Sequence, residues 1–218
     1  MLRLDEPLKE GLLLLGTAAG APFLPKLAEL AKGNLPFAVG IMALITLGTV
    51  GYLPLVLPLL LSDVTVDSAK IARSLSLLML LPLAAGLALK AYRPGVAARV
   101  KPFFDGICGV SLIPLVLLLL AFANVDKIYQ IFGTRGILAG LLLIMAGFGI
   151  RWLLGGPGAA TRRVLALGTG QRNIAAALVV ASESFSDPKV VVMVIVVTIV
   201  GLLTLVPICH VLAYRRLY

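Results

Sequence analysis

An all-α membrane bundle of about seven spans is the fold class this sequence predicts, on three observations. Apolar residues make up 60% of the 218-residue chain and charged ones only 13%, with a mean hydropathy of +1.07. Soluble domains run nearer half apolar and a quarter charged. Apolar runs long enough to cross a bilayer recur along the chain, and the charges collect in short segments between them. The runs are apolar all round, which excludes the striped helices of a soluble bundle.

Taken in order, the predicted spans are 11–31, 34–61, 71–92, 103–123, 133–154, 162–182 and 188–213. Turn-forming or charged residues separate them: Lys32-Gly33-Asn34, Ser62-Asp63, Arg93-Pro94-Gly95, Asn124-Val125-Asp126-Lys127 and Gly155-Gly156-Pro157-Gly158. Pro22 and Pro25 lie inside the first span, remove backbone donors and interrupt that helix. Pro54, Pro58, Pro82 and Pro114 read as ordinary transmembrane kinks, and Gly16-x3-Gly20 and Gly136-x3-Gly140 as close helix contacts.

Loop charge sets the orientation. Arg93, Arg99 and Lys101 fill one loop, Arg162 and Arg163 another, and Arg215-Arg216 the C-terminus, whereas the loops between are neutral or acidic. Basic loops stay in the cytoplasm, so the C-terminus is expected inside and the N-terminus, with Asp5 and Glu6, outside. Tyr92, Tyr129, Trp152 and Tyr214 fall near span ends, as interfacial aromatics do. The net charge of +9 is therefore loop bias, and nucleic acid is not an expected partner; the lipid bilayer is. Cys108 and Cys209 sit in apolar runs and form neither a disulfide framework nor a metal cluster. The acidic start, Asp5-Glu6, does not resemble a cleavable signal.

Leu12-Leu13-Leu14-Leu15-Gly16-Thr17-Ala18-Ala19-Gly20 resembles Val164-Leu165-Ala166-Leu167-Gly168-Thr169-Gly170-Gln171-Arg172 at an offset of 152 residues. The copies lie in spans one and six, an odd separation, so they cross the membrane in opposite senses. Inverted repeats carrying interrupted helices point to a secondary transporter with a midplane site. The second copy follows three spans (71–154), the first only ten residues, so the repeat predicts three spans missing upstream of Met1.

The chain resembles the C-terminal two-thirds of the bile acid:sodium symporter family. The residues carrying the resemblance are Lys32-Gly33-Asn34 before a long span and Gly168-Thr169-Gly170-Gln171-Arg172-Asn173-Ile174-Ala175-Ala176-Ala177-Leu178. The resemblance implies two inverted five-helix repeats whose fourth and ninth helices break and cross near substrate and sodium sites. This chain would supply helices four to ten as a single transporter domain over 1–218, with 11–61 ending the first repeat and 71–213 forming the second. It also implies sodium ligands that are replaced here. Gly168 stands for the family's Glu and Arg172 for its Gln, while Gly170 and Asn173 remain; hydroxyl positions of the fifth helix fall at Ala38 and Met42. Counting back from Lys32 aligns the first break with Ala19 to Pro25, whereas a four-residue shift places Gly16-Thr17-Ala18-Ala19 there. Sodium prefers several hard oxygen ligands, so no metal ligand or cofactor is assigned and sodium coupling is in doubt.

The candidate substrate and ion site is Arg172, Asn173, Gln171, Thr169, Gly170, Gly168, Thr17 and Pro22. Arg172 is a charge well within a span, which is costly and marks function by default; its guanidinium is expected to supply a fixed positive charge where relatives recruit a mobile one. The bland reading is a snorkelling or carbonyl-pairing arginine. The polar groups of the breaks bind anions or, on the bland reading, satisfy freed backbone. His210 reads as interfacial. No acid makes a convincing proton carrier, Asp105 being the best of them. The expected function is secondary active transport of a small organic anion by alternating access in a bacterial inner membrane. A non-transporting remnant is the alternative; an intramembrane enzyme lacks any paired aspartates, Gly-x-Ser-Gly or His/Glu motif to support it.

Overall fold

A computed structural model describes residues 4–19, 22–61, 67–107, 134–156 and 158–214. The chain opens with two short helices, α1 (Glu6–Thr17) and α2 (Leu24–Leu30), followed by the long α3 (Leu35–Leu60). Helix α4 (Ser68–Tyr92) contains a π-turn over Ser76–Leu80, and α5 runs over 94–107. Then come α6 (Gly136–Leu154), α7 (Ala159–Gly170), α8 (Ile174–Ser184) and α9 (Pro188–Tyr214). Among the described residues there is no strand, and the chain is a multi-pass helical membrane protein.

Among the described residues, five stretches are long and apolar enough to cross a bilayer: α3, α4, α6, α7 with α8, and α9. Each matches a predicted span to within a few residues. The first span begins earlier than expected, at Glu6, with Pro7 in the first turn, where its missing N–H costs nothing. Of span 103–123 only the part up to residue 107 is described; Cys108, Pro114, Asn124-Val125-Asp126-Lys127 and Tyr129 lie outside the described residues. So do Gly20, Ala21, Ser62, Asp63, Pro157, Arg215 and Arg216.

Local chemistry explains the helix ends. Lys32, at φ 50°, takes the left-handed conformation after α2 and lets Gly33 N–H donate to Ala28 O at 2.8 Å. Asn34 then caps α3, its Oδ1 accepting from Phe37 N–H at 3.1 Å. Asp67 caps α4 in the same way, accepting from Ala69 and Lys70 N–H.

Helix α9 is the centre of the core. It buries Val190, Val192 through Thr198, Leu205 and Cys209, and packs against α1, α2, α6 and α8. The outward faces carry leucine: Leu44, Leu47, Leu55 and Leu59 on α3 are exposed, as lipid-facing residues are. Gly140 of α6 meets α9 so closely that a Cβ would stand 2.6 Å from Val197. Gly16, by contrast, meets nothing within 4 Å among the described residues, and Gly20, its partner in the expected contact, lies outside them.

Candidate functional site

Among the described residues two helices are interrupted, and they are the two members of the sequence repeat. The first breaks between Thr17 and Leu24, the second between Gly170 and Ile174. Thr17 Oγ1 donates to Leu13 O at 2.9 Å, and Thr169 Oγ1 donates to Leu165 O at 2.9 Å. These matched back-bonds loosen each helix just before its break. The first break therefore starts at Ala18, ahead of Pro22. The interruption thus includes Ala18 and Ala19 as well as Pro22. Pro25 instead opens α2, where its missing N–H costs nothing.

The two breaks meet. Asn173 N–H donates to Ala18 O at 3.0 Å, and Arg172 Nη1 lies 3.4 Å from Gly16 O. At the far end Asn34 N–H donates to Ala160 O at 3.4 Å and Arg163 Nη1 to Ala31 O at 3.0 Å. Helix α1 packs on α8 and α2 on α7, so each interrupted helix lays its first half beside the other's second half. That is the pairing an inverted crossing produces. The half-helices approach closely at Gly168, whose Cβ would stand 2.9 Å from Leu24 Cδ2.

Asn173 is fully buried and holds the crossing from three sides. Its Oδ1 caps α8 by accepting from Ala176 N–H at 3.1 Å, its backbone reaches the first break, and its Nδ2 lies 3.6 Å from Met79 Sδ. Met79 belongs to the π-turn of α4, an irregularity common at functional sites. Gln171, also buried, Gly170 and Arg172 line a cavity of about 20 Å³ with Leu15, Thr198 and Leu205, room for one water-sized guest. Thr198 Oγ1 donates to Val194 O at 2.7 Å, so only its lone pairs remain to face the cavity. Gly147 of α6 presses against Thr169 O and Arg172 Nη2. Pro22 lies apart from this cluster, in a separate cleft of about 260 Å³ with Lys26, Glu29, Lys101 and Asp105.

Several residues that matter here were missed from sequence. Thr49 Oγ1 donates to Ala19 O at 2.8 Å, supplying α3's hydroxyl to the first break from eleven residues beyond Ala38. Ala38, Thr46 and Thr49 are all buried on one stripe, and following the helical period down from Ala38 and Met42 would have reached them. Arg163, expected as a loop charge, is only 7% exposed, because α7 begins before it and folds it against the end of α2. Two buried polar atoms have no hydrogen-bond partner among the described residues: Arg172 Nε and Glu183 Oε2. Asp105, the best acid by sequence, is exposed and paired with Lys101.

The model of the sodium bile acid symporter family matches residues 1–131. The chain belongs to that family. Two relatives extend the likeness through the second break. The "Probable sodium/metabolite cotransporter BASS2, chloroplastic" of Oryza sativa subsp. japonica is 27% identical over 202 residues, covering 88% of this chain and 46% of its own length. The "Probable sodium/metabolite cotransporter BASS1, chloroplastic" of Arabidopsis thaliana is 27% identical over 195 residues, covering 86% of this chain and 47% of its own. This symporter-family chain thus spans less than half the length of these relatives.

Proposed function

We propose that this chain forms part or all of a secondary active transporter of a small organic anion, working by alternating access and without obligatory sodium dependence. Residues 11–61 end one inverted repeat and 71–213 form the other, in a cell membrane with the C-terminus in the cytoplasm. The observation that carries this reading is Arg172 at the crossing, beside Gly16 O and with its Nε buried and unpartnered. A guanidinium there keeps a donor directed at an anion and repels a sodium ion from the same few ångströms. The relatives are named for sodium and a metabolite; the metabolite half of that description fits this site better than the sodium half.

The test is uptake into proteoliposomes of a panel of labelled mono- and dicarboxylates, with and without an inward sodium gradient. Saturable uptake or exchange that persists without sodium is expected. Arg172→Gln should weaken apparent affinity about tenfold or more, the loss of one charge-assisted contact. Uptake that needs sodium, or that Arg172→Gln leaves untouched, overturns the role given to Arg172. No solute movement at all would leave a non-transporting membrane protein.

A further inference from the structure

We infer that Lys26 and Glu29 of α2, with Lys101 and Asp105 of α5, form a charge-exchange gate. Its two lysines trade carboxylate partners when the cleft between these helices closes. This rests on the transport reading above, whose alternating access requires a passage that shuts on one side. The cleft of about 260 Å³ is that passage. Pro22 and Phe23, in the first break, line it together with both charged pairs. It therefore connects the interrupted helix with the basic segment that holds Lys101.

In the open cleft each lysine is tied to its own helix. Lys26 Nζ lies 3.0 Å from Glu29 Oε2, three residues on, and Lys101 pairs with Asp105, four residues on. Chain topology sets the two pairs in opposite order. Helix α2 runs toward the turn at Lys32, α3 crosses away from that side and α4 returns, so α5 starts on the side where α2 ends. The two helices thus run in opposite senses, which places Lys26 toward Asp105 and Glu29 toward Lys101. At about 1.5 Å of rise per residue, the two spacings differ by one residue's rise, so both cross-pairs can form together. The charges already interact across the gap. Lys101 is held above the ordinary lysine value first by its bond to Asp105 and, with less weight, by Glu29 on the opposite wall.

The walls differ in how firmly they are held. Helix α2 buries Leu24, Leu27 and Ala28. Among the described residues none of α5 is buried, nor any of α4 from Leu81 to Tyr92, so this limb can swing while α2 stays. Exposed pairs within one helix contribute little and are easily given up. The same charges facing each other in a closed, drier cleft attract more strongly. Every charge keeps a partner in both arrangements, so neither state strands a buried ion. The two states then stand close enough in free energy for a bound anion to tip the balance.

Proteoliposomes holding the full chain test the exchange through charge order. K101E with D105K preserves the pair within α5 but sets like charges across the cleft; K26E with E29K does the same from the other wall. Each double swap should lower uptake of a transported carboxylate about tenfold or more. All four changes together restore opposite charges across the cleft and should recover uptake. Wild-type uptake in either double swap is the result for pairs that act only within their helices, and it overturns the gate. So does a fourfold variant that folds and gains nothing over the double swaps. A second measurement does not depend on charge. In a background lacking Cys108 and Cys209, Glu29→Cys with Lys101→Cys should form a disulfide on oxidation by copper phenanthroline that stops uptake, and reduction should restore it. A disulfide that leaves uptake unchanged, or none forming in a protein that transports, overturns the gate alone. If the wild type moves no carboxylate at all, the transport reading falls and takes this inference with it.

Discussion

Asn173 concentrates three jobs in one residue: its side-chain oxygen caps α8, its backbone N–H donates to the first break, and its side-chain nitrogen meets Met79. Losing an N-cap costs about 1 kcal/mol, and emptying a fully buried polar site adds to that. Asn173→Ala should therefore lower thermal stability by about 1–3 kcal/mol, while Asn173→Asp, which keeps the capping oxygen, should retain more of it. Unfolding followed in detergent checks the order of the two; equal losses would show that the cap is not what Asn173 contributes. The sequence marks this residue well, since an asparagine opening an apolar run is a capping signal. Arg172 is equally visible as a charge in an apolar stretch. Arg163 and Glu183 were harder to read, because a charge at a span end looks the same whether it points to water or folds inward. Only the neighbouring helix decides that, and its position is not a local property of the chain.

At the scale of the element, the breaks depend on how near two backbones can come. A Cβ at Gly168 would meet the terminal methyl of Leu24, whereas one at Gly147 would stand 2.7 Å from the backbone oxygen of Thr169. A leucine methyl can swing aside; a carbonyl in a helix cannot. Gly168→Ala should therefore be nearly neutral, its overlap offset by better helix propensity, and Gly147→Ala should destabilise by about 1–3 kcal/mol. The reverse order in a thermal denaturation series would contradict the close packing of α6 on α7. Thr49→Val strips Ala19 O of its donor and should cost about 1–3 kcal/mol, whereas the same change at Thr204, which bonds only within its own helix to Val200 O, should cost less. The span boundaries were legible because hydropathy alone fixes them. The beginning of the first break was not: proline announces an interruption, but here the helix already ends at Thr17, before Pro22 is reached.

For the whole molecule, the distribution of charge and the repeat make the same statement. Both interrupted helices join their neighbours at one end, where Lys32, Asn34, Ala160 and Arg163 come together, and the basic segment at Arg93 lies one span pair away. The orientation argument then predicts labelling. In a background lacking Cys108 and Cys209, a cysteine at the exposed position Ala98 should react with an impermeant maleimide only after the membrane is opened. One at Ser186, exposed between α8 and α9, should react in intact cells. The opposite pattern would invert the orientation and place Glu183 on the inner side.

The π-turn of α4 also has a consequence for how the helix is phased. A π-turn is the structural trace of one extra residue in an α-helix, and each residue advances the helix by about 100°. Before it Ile71 and Leu75 point into the core; after it, from Leu81 to Tyr92, no residue is buried. The turn thus works as a phase shifter between a core-facing half and an outward-facing half. Deleting Leu77 or Leu78 would close the turn, rotate everything after it by about a quarter-turn, and withdraw Met79 from Asn173 without touching either interrupted helix.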